Sequence, residues 1–228
     1  MEVTPEMMCR MTGVVDWNDP NEVTVWAAMC LCYYATLRKD NVTVGKQDAF
    51  NPRENITNGD VALDTRTLQG SVNIRHSKTN TAGERQHVIP LLGYGGKVCV
   101  VTSLATMLKI TVGASRTEKS PLFQIKKGAK WVPMTRTYFV DKFKEFAKKA
   151  GYNPDLYAGH SFRRGSGTRS FKLNCRTELI KWQGDWQSDA YQRYITLDME
   201  QRLIVPTALT RDMEEHEKQM LDRLAKGA

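Results

Sequence analysis

The sequence lacks the features that mark membrane proteins and secreted proteins. No apolar run approaches the roughly 18 residues needed to span a bilayer. The first residues, MEVTPEMMCRM, have the wrong charge and too little apolar length for a signal peptide. Internal repeats and low-complexity segments are absent as well. We therefore expect a globular protein with no membrane partner.

Cysteine is scarce and is not arranged to hold a metal. The five cysteines are odd in number and include no C-x-x-C pair. Structural zinc sites need a framework of paired Cys and His residues, so we expect no metal. Cys30 and Cys32 lie in an apolar run, which indicates buried free thiols in a reducing compartment.

Length and charge indicate the size of the protein and its kind of partner. At 228 residues and 41% hydrophobic content, the chain suits one sizeable domain or two small ones. A net charge of +8 favours a polyanionic partner, with nucleic acid first among them. Charge alone leaves open a basic protein that binds no polyanion.

The residues best suited to chemistry are concentrated between positions 157 and 195. His160 and Arg163 form an H-x-x-R unit, and a helix would place both on one face. Arginine offers a planar fork of donors to phosphate oxygens, and histidine can move a proton near neutral pH. Trp186 follows in GDW, and Tyr194 could act as a covalent nucleophile. Together these side chains supply what metal-free phosphodiester cleavage requires, although Trp186 or Tyr194 alone would more often be a packed residue.

This segment resembles the C-terminal half of the catalytic domain of tyrosine recombinases (phage integrase-like). Within that family it is most similar to the Crypton and DIRS-type recombinases of eukaryotic mobile elements, which read H-S-F-R-R-G and then G-x-W-x-S-D-A-x-x-x-Y-I. The resemblance covers residues 4–203 and implies an α+β fold, mainly α-helical, with a small three-stranded antiparallel sheet. It implies a catalytic domain over residues 1–203 and a C-terminal helix over residues 204–228, docked in cis or on a neighbouring protomer.

The resemblance also assigns residues in the first half of the chain. ATLRKDN matches the family run T-G-L-R-x-x-E, so Arg38 takes the role of the first catalytic arginine, with Asn41 replacing the usual acid and Asp40 one place earlier. Alone, Arg38 would be the C-terminal cap of a helix predicted over residues 22–37. The run from 77 to 91 resembles the catalytic hairpin, which makes Lys78 the general acid for the leaving 5′ oxygen; alone, Lys78 would be an exposed hairpin lysine.

Local patterns predict most of the remaining elements. Strands are predicted over residues 54–63, 71–77 and 84–92, and a loop-rich connector over 111–130. Thr4 and Pro5 predict one helix start, and Thr135 or Thr137 predicts another that Gly151 closes. Further helices are predicted over residues 97–110, 160–173 and 175–182. We expect the glycines at 165 and 167 to let another backbone, or DNA, approach closely.

The implied reaction is DNA cleavage and rejoining by covalent catalysis. Tyr194 would attack the scissile phosphate and form a 3′-phosphotyrosyl link, while Arg38 and Arg163 clamp the non-bridging oxygens. Trp186 would donate its indole N–H to the same oxygens, and His160 would assist proton transfer at the tyrosine. Tyr191 is a rival nucleophile, because the gap from Trp186 to Tyr194 is one residue shorter than usual in the family.

The resemblance implies double-stranded DNA as the partner, a homo-oligomer (dimer to tetramer) on DNA, and no metal, nucleotide or other cofactor. It implies a nucleus location if the source is a eukaryotic mobile element, and otherwise the cytoplasm or nucleoid. Family members usually carry an N-terminal core-binding domain, so we expect a catalytic-domain fragment or a truncated relative. Basic residues expected to contact DNA are Arg75, Lys126, Lys127, Lys130, Arg164 and Arg169.

Three alternatives to site-specific recombination remain at this point. A type IB topoisomerase-like enzyme would use the same chemistry to relax supercoiled DNA. A domesticated descendant would bind DNA without cleaving it. A protein–protein scaffold has only the C-terminal helix in its favour.

Overall fold

The computed structural model describes residues 1–76 and 87–186, together with the single positions 192, 203, 207 and 210. Its contacts divide the chain into two compact units, Met1–Tyr194 and Ile195–Ala228. In the second unit the described positions 203, 207 and 210 are helical. The elements described below all belong to the first unit.

The first unit combines α-helices with two small antiparallel sheets. The helices described are α1 (Pro5–Met11), α2 (Pro20–Tyr34), α3 (Lys39–Val42), α4 (Val100–Ile110), α5 (Arg136–Lys149), α6 (Ser161–Lys172) and α7 (Thr177–Gln183). The strands described are β1 (Val61–Asp64), β2 (Gln69–Asn73), β3 (Val88–Leu92), β4 (Gln124–Lys127) and β5 (Lys130–Pro133). The predicted α+β class, mainly helical with a three-stranded antiparallel sheet, is confirmed.

Helix α2 is the centre of the core. Asp19 caps it by accepting the Asn21 N–H at 2.8 Å, and Pro20 occupies the first turn. Its middle residues are buried on every face because α4, α5, α6 and β4 all pack against it. The helix ends at Tyr34, three residues before the predicted end at residue 37.

The three-stranded sheet has the order β1-β2-β3, with antiparallel pairing throughout. Val72 of β2 pairs with Ile89 of β3, and both side chains are buried against the helices. β1 is shorter than the predicted strand over residues 54–63. Asp60 accepts bonds from both the backbone N–H and the hydroxyl of Thr57 at 2.8 Å, and this turn delays the start of the strand.

A second sheet occupies part of the predicted connector. Strands β4 and β5 pair antiparallel, and Gly128 with φ +58° lies in the turn between them. Asn21 at the start of α2 holds the hairpin, because its side chain accepts the Lys126 N–H at 2.6 Å and donates to the Lys126 carbonyl at 3.0 Å. The predicted loop-rich connector over residues 111–130 is therefore confirmed up to residue 123, and it is wrong for Gln124–Lys127 and for Lys130, which are strand residues.

Helices α5 and α6 pack through aromatic side chains. Thr135 caps α5 by accepting the Tyr138 N–H at 3.3 Å, and Gly151 follows the helix with φ +87°. Phe143 of α5 is buried and lies 4.5 Å, centroid to centroid, from Phe162 of α6. This contact fixes the rotation of α6, so that the residue after Phe162 points at the end of α2.

Other sequence expectations concern thiols, metals and membranes. Cys30, Cys32 and Cys99 are buried free thiols as predicted for the first two, whereas Cys9 and Cys175 are exposed. Among the described residues, no group of three His, Cys, Asp or Glu side chains could hold a metal ion. In the same part of the chain, no helix is both long enough and apolar enough to cross a membrane.

Candidate active site

The site forms where α6 begins. The Ala158 carbonyl accepts the Ser161 N–H at 2.8 Å, and the Ser161 hydroxyl accepts the Ala158 N–H at 3.0 Å. This turn places His160 at the N-cap position of α6, with its carbonyl accepting the Arg164 N–H at 3.0 Å. His160 is exposed, whereas Arg163 points inward. The H-x-x-R unit therefore joins an accessible imidazole to a buried guanidinium on one side of the helix start.

Arg163 is the most buried charged residue that the structure describes, at 1% exposure. Its Nη1 donates to the Thr36 carbonyl at 2.7 Å, and its Cζ lies 3.9 Å from the centre of the Trp186 ring. The hydrogen bond and the cation–π contact hold the guanidinium plane from two directions. A guanidinium held in a fixed plane is the kind of group that can bind phosphate oxygens in a defined geometry.

The turn after α2 supplies the carbonyl that binds Arg163. Thr36 has φ +53°, a left-handed conformation that is uncommon for a β-branched residue. Conformations of this kind cost about 1–3 kcal/mol and persist only where the surroundings hold them. Here the Thr36 hydroxyl lies 2.9 Å from the Ser166 hydroxyl of α6, and both residues are buried. Helices α2 and α6 are thus joined directly at the site.

Arg38 lies at the N-cap position of the short helix α3. Its backbone N–H donates to the Asn41 Oδ1 at 3.0 Å, so Asn41 orders the backbone at Arg38. Asp40 does not replace the family's acid beside Arg38, because it pairs with Arg136 at 2.5 Å and with Lys39 at 3.4 Å. The alternative of Arg38 as C-terminal cap of α2 is wrong, since α2 ends four residues earlier.

Positive charges around His160 favour its neutral form. Partial burial lowers the pKa of His160, and the nearby charges of Lys39, Arg38 and Arg163 lower it further, against an opposing effect of Asp40. Arg163 follows His160 by three residues at the start of α6, and it bonds the carbonyl of Thr36, two residues before Arg38. Lys39 crosses closely over Gly159, where an added Cβ would lie 2.0 Å from the Lys39 Cδ. Glycine before His160 therefore lets a lysine stem pack against the site.

Trp186 reaches Arg163 through the G-D-W sequence after α7. Gly184 caps α7, and Asp185 turns the chain with φ +52°. The indole then folds back over Gly184, where an added Cβ would lie 1.9 Å from the ring. Trp186 is 7% exposed and covers the guanidinium of Arg163. The packed-tryptophan reading and the active-site reading are therefore both compatible with its place.

The residues predicted to contact DNA lie in different surroundings. Lys126, Lys127 and Lys130 are exposed on the β4–β5 hairpin. Arg169 is exposed on α6 and Arg164 is half-buried. Arg75 pairs with Asp60 at 2.6 Å and also bonds the Thr57 hydroxyl at 3.2 Å, so part of its donor capacity is used inside the protein.

Three predicted site residues lie outside the described residues: Lys78, Tyr194 and the rival nucleophile Tyr191. The C-terminal helix predicted over residues 204–228 also lies outside them, apart from positions 207 and 210. Of the six predicted catalytic residues, the structure brings together Arg38, His160, Arg163 and Trp186.

Solved structures share this fold at low sequence identity. XerH site-specific recombinase bound to difH substrate matches with a TM-score of 0.63 and 12% identity, over 91% of this chain and 53% of that chain. XerA recombinase matches with a TM-score of 0.59 and 15% identity, over 95% and 65%. Tn1549 transposon integrase in complex with circular intermediate DNA matches with a TM-score of 0.53 and 13% identity, over 89% and 63%. The chain has the fold of a tyrosine recombinase catalytic domain.

The similarity to these recombinase structures is one of fold. No protein-family model matches the sequence. No curated protein matches it either. The chain spans 53% to 65% of the three recombinase chains above.

Sequence reasoning missed several residues that build the site of this recombinase fold. Thr36 and Ser166 join the two helices behind Arg163, and Lys39 packs beside His160. One signal was available, because Thr36 stands where the family run T-G-L-R has glycine. The contact of Lys39 with Gly159 had no local signal, since it joins positions 120 residues apart.

Proposed function

We propose that this chain is a site-specific DNA recombinase of the transposon integrase or excisionase type. The observation that supports the proposal is the site at the start of α6 within a recombinase catalytic fold: His160 lies at the N-cap, Arg163 contacts Trp186, and Arg163 bonds Thr36, two residues before Arg38. Two arginines beside one neutral-leaning histidine form a site for a phosphodiester and for proton transfer. The sequence context of Lys78 and Tyr194 supports the other two roles.

In the proposed reaction, the Tyr194 oxygen attacks the scissile phosphorus. A tyrosine–phosphorus bond forms at the 3′ side, and the bond from phosphorus to the 5′ oxygen breaks. His160 receives the tyrosine proton, and Lys78 gives a proton to the leaving 5′ oxygen. Attack by a 5′-hydroxyl of another strand reverses these steps and completes strand exchange. Because the link keeps the phosphodiester's energy, the cycle consumes no nucleotide.

Arg38 and Arg163 stabilise the negative charge that builds on the non-bridging oxygens during attack. Removing one such donor from an enzyme site typically costs about 10²–10³ in rate. The hydrogen bond to the Thr36 carbonyl and the contact with Trp186 already orient the guanidinium of Arg163 before a phosphate binds. Trp186 adds its indole N–H to the same oxygens in this proposal.

Covalent trapping on DNA tests the proposal. The protein is mixed with a library of nicked, randomised duplexes, and protein–DNA adducts are isolated and sequenced. We expect adducts with recurring half-sites for the unaltered chain, and no adducts for Tyr194→Phe. Adducts on scattered sequences would instead indicate topoisomerase-like relaxation. The absence of adducts, with binding retained, would contradict the proposal and favour a DNA-binding descendant.

Arg163→Ala provides the second arm of the same experiment. We expect it to reduce adduct formation by at least about 10², with DNA affinity changed little because many phosphate contacts contribute to affinity. Circular dichroism and thermal unfolding check that the variant is folded. Adduct formation at the unaltered rate would refute the role of Arg163.

A further inference from the structure

We propose that Thr36 and Ser166 act as a positioning pair that fixes the guanidinium of Arg163 for phosphate binding. The catalytic consequence rests on the proposed function, whereas the positioning itself is a property of the free protein. Neither residue would touch the substrate in this proposal. Both act through Arg163.

Two successive turns of α6 bind the same residue of the α2–α3 turn. Arg163 and Ser166 are three positions apart, so their side chains leave α6 on one face. Arg163 Nη1 donates to the Thr36 carbonyl at 2.7 Å, and the Ser166 hydroxyl lies 2.9 Å from the Thr36 hydroxyl. The Thr36 side chain is therefore held by Ser166, and the Thr36 carbonyl accepts the hydrogen bond from Arg163. A shift of Thr36 would move the acceptor of Arg163.

The conformation of Thr36 is one that the hydroxyl contact can stabilise. With φ +53°, the residue occupies a region that β-branched side chains rarely adopt. Strained backbone of this kind persists when neighbouring contacts over-determine it. The contact with Ser166 is buried, where a hydroxyl left without a partner is unfavourable. Replacing the pair would let the turn relax and carry its carbonyl away from Arg163.

The same turn also leads to Arg38. Leu37 is buried beneath the turn, and Arg38 follows it at the N-cap position of α3. The Thr36 carbonyl accepts a hydrogen bond from Arg163, and Arg38 follows Thr36 by two residues in the same turn. The Thr36–Ser166 contact therefore lies two residues from Arg38 along the chain.

A double variant separates positioning from simple stabilisation. Thr36→Val and Ser166→Ala each leave one buried hydroxyl without its partner, so each should lower stability. The combination removes both partners, which is often nearly neutral for stability. If the pair only ties α2 to α6, the double variant recovers both stability and activity. If the pair positions Arg163, stability recovers and the guanidinium stays misplaced.

Nuclear magnetic resonance of the free protein measures how fast the Arg163 guanidinium rotates. Arginine side-chain nitrogens are labelled with ¹⁵N, and the Arg163 signals are assigned by their loss in Arg163→Lys. We expect slow rotation of the Arg163 guanidinium in the unaltered chain and clearly faster rotation in Thr36→Val/Ser166→Ala. Thr36→Ser keeps the hydroxyl, so the Arg163 guanidinium should rotate as slowly in this variant as in the unaltered chain. Thr24→Ala is the matched control, because Thr24 is a buried α2 threonine whose hydroxyl bonds the Pro20 carbonyl at 2.8 Å, away from the site.

Single-turnover cleavage provides the functional readout on a duplex recovered by covalent trapping. We expect the double variant to cleave about tenfold more slowly at saturating DNA, with the half-saturating DNA concentration unchanged; this is less than the 10²–10³ loss expected for removing a donor. Unchanged Arg163 signals in the double variant would overturn the positioning role. If the Arg163 signals change in the double variant but its cleavage rate does not, the proposed effect of the positioning pair on catalysis is overturned. If the unaltered chain cleaves no DNA, the proposed function fails. The NMR measurement on the free protein still shows whether Thr36 and Ser166 position Arg163.

Discussion

At the scale of single residues, His160 lies among three positive groups and one negative group. Lys39, Arg38 and Arg163 lower its pKa beyond the effect of burial, and Asp40 opposes them. The folded state therefore binds the His160 proton less readily than the unfolded state does. This lowered pKa makes its contribution to stability fall as pH decreases below the ordinary histidine value of about 6.5. It also keeps the imidazole able to accept a proton near neutral pH.

Lys39→Gln should move the pH dependence of cleavage. Cleavage that needs neutral His160 declines as pH falls through its pKa, and removing the Lys39 charge raises that pKa. We expect the acidic limb of the single-turnover rate profile, measured between about pH 5 and 8, to move to higher pH. Lys46→Gln is the control, because Lys46 is an exposed lysine that is not among the charges acting on His160. An acidic limb at an unchanged pH in Lys39→Gln would contradict the account of His160.

Trp186 can be tested by a pair of substitutions. Trp186→Ala removes the ring that covers Arg163 and should destabilise the fold by about 3–5 kcal/mol, the usual range for truncating a buried tryptophan. Trp186→Phe keeps an aromatic face over the guanidinium and should cost less. Denaturant unfolding gives both values. Equal losses in the two variants would show that the contact with Arg163 contributes little to stability.

At the scale of elements, helix α6 depends on the close approach of the N-terminal segment. The Val3 N–H donates to the Ser161 carbonyl at 3.0 Å. A Cβ added at Gly165 would lie 1.8 Å from the Val3 carbonyl oxygen, which is backbone and cannot rotate aside. The expectation that these glycines admit another backbone is thus met at Gly165, by the protein's own chain.

Gly165→Ala and Gly167→Ala form a matched pair in one helix. Alanine has the better helix propensity by about 1 kcal/mol, so both would stabilise α6 if packing were open. At Gly167 an added Cβ meets only the Trp186 ring at 3.7 Å, an ordinary contact. We expect Gly167→Ala to keep or raise the free energy of unfolding and Gly165→Ala to lower it by about 1–3 kcal/mol. A Gly165→Ala variant as stable as Gly167→Ala would refute the close packing.

Elements with local signals were predictable, and those set by distant contacts were not. Thr4, Pro5, Thr135 and Gly151 carry cap chemistry: α1 begins as predicted, and α5 begins after Thr135, one of the two predicted starts, and ends before Gly151. The early end of α2 depends on the Thr36 turn, which the buried contact with Ser166 stabilises from 130 residues away. The β4–β5 hairpin was missed although Gly128 marks its turn, because each strand is only four residues long.

The site residues stay a prediction from the resemblance, and the structure adds the geometry around four of them. The resemblance predicts Arg38, His160, Arg163 and Trp186 in one site; the structure shows Trp186 in contact with Arg163, and Arg163 bonded to Thr36, two residues before Arg38. Spacing could not reveal that Arg163 is buried against a carbonyl while His160 remains exposed. Such differences follow from how Phe162 packs on Phe143, a contact between helices that sequence periodicity does not define.

At the scale of the whole molecule, the net charge of +8 predicts that the proposed DNA binding depends steeply on salt concentration. Each phosphate contact that a lysine makes adds about one unit to the slope of log affinity against log salt concentration. The β4–β5 hairpin exposes three lysines together, at positions 126, 127 and 130. Helix α5 carries another group on its outer side, at positions 144, 148 and 149, where Lys144 and Lys149 already pair with acids.

Triple substitutions compare the two lysine groups at equal charge. Lys126→Gln, Lys127→Gln and Lys130→Gln together should weaken DNA binding and reduce the salt slope by about two to three units. The same change at Lys144, Lys148 and Lys149 should have a much smaller effect, as expected for a solvated face. Fluorescence anisotropy at a series of salt concentrations gives both slopes. Equal slopes in the two variants would show that the hairpin is not a specific DNA contact.

The most direct test of the central claim is to identify the residue that carries the trapped DNA. Trypsin cuts after Arg193, so Tyr191 and Tyr194 fall in different peptides. After nuclease digestion of the adduct, mass spectrometry should find a 3′-linked nucleotide on the peptide that begins with Tyr194. DNA on the peptide that ends with Arg193 would assign the reaction to Tyr191. DNA on a residue other than these tyrosines would contradict the recombinase account.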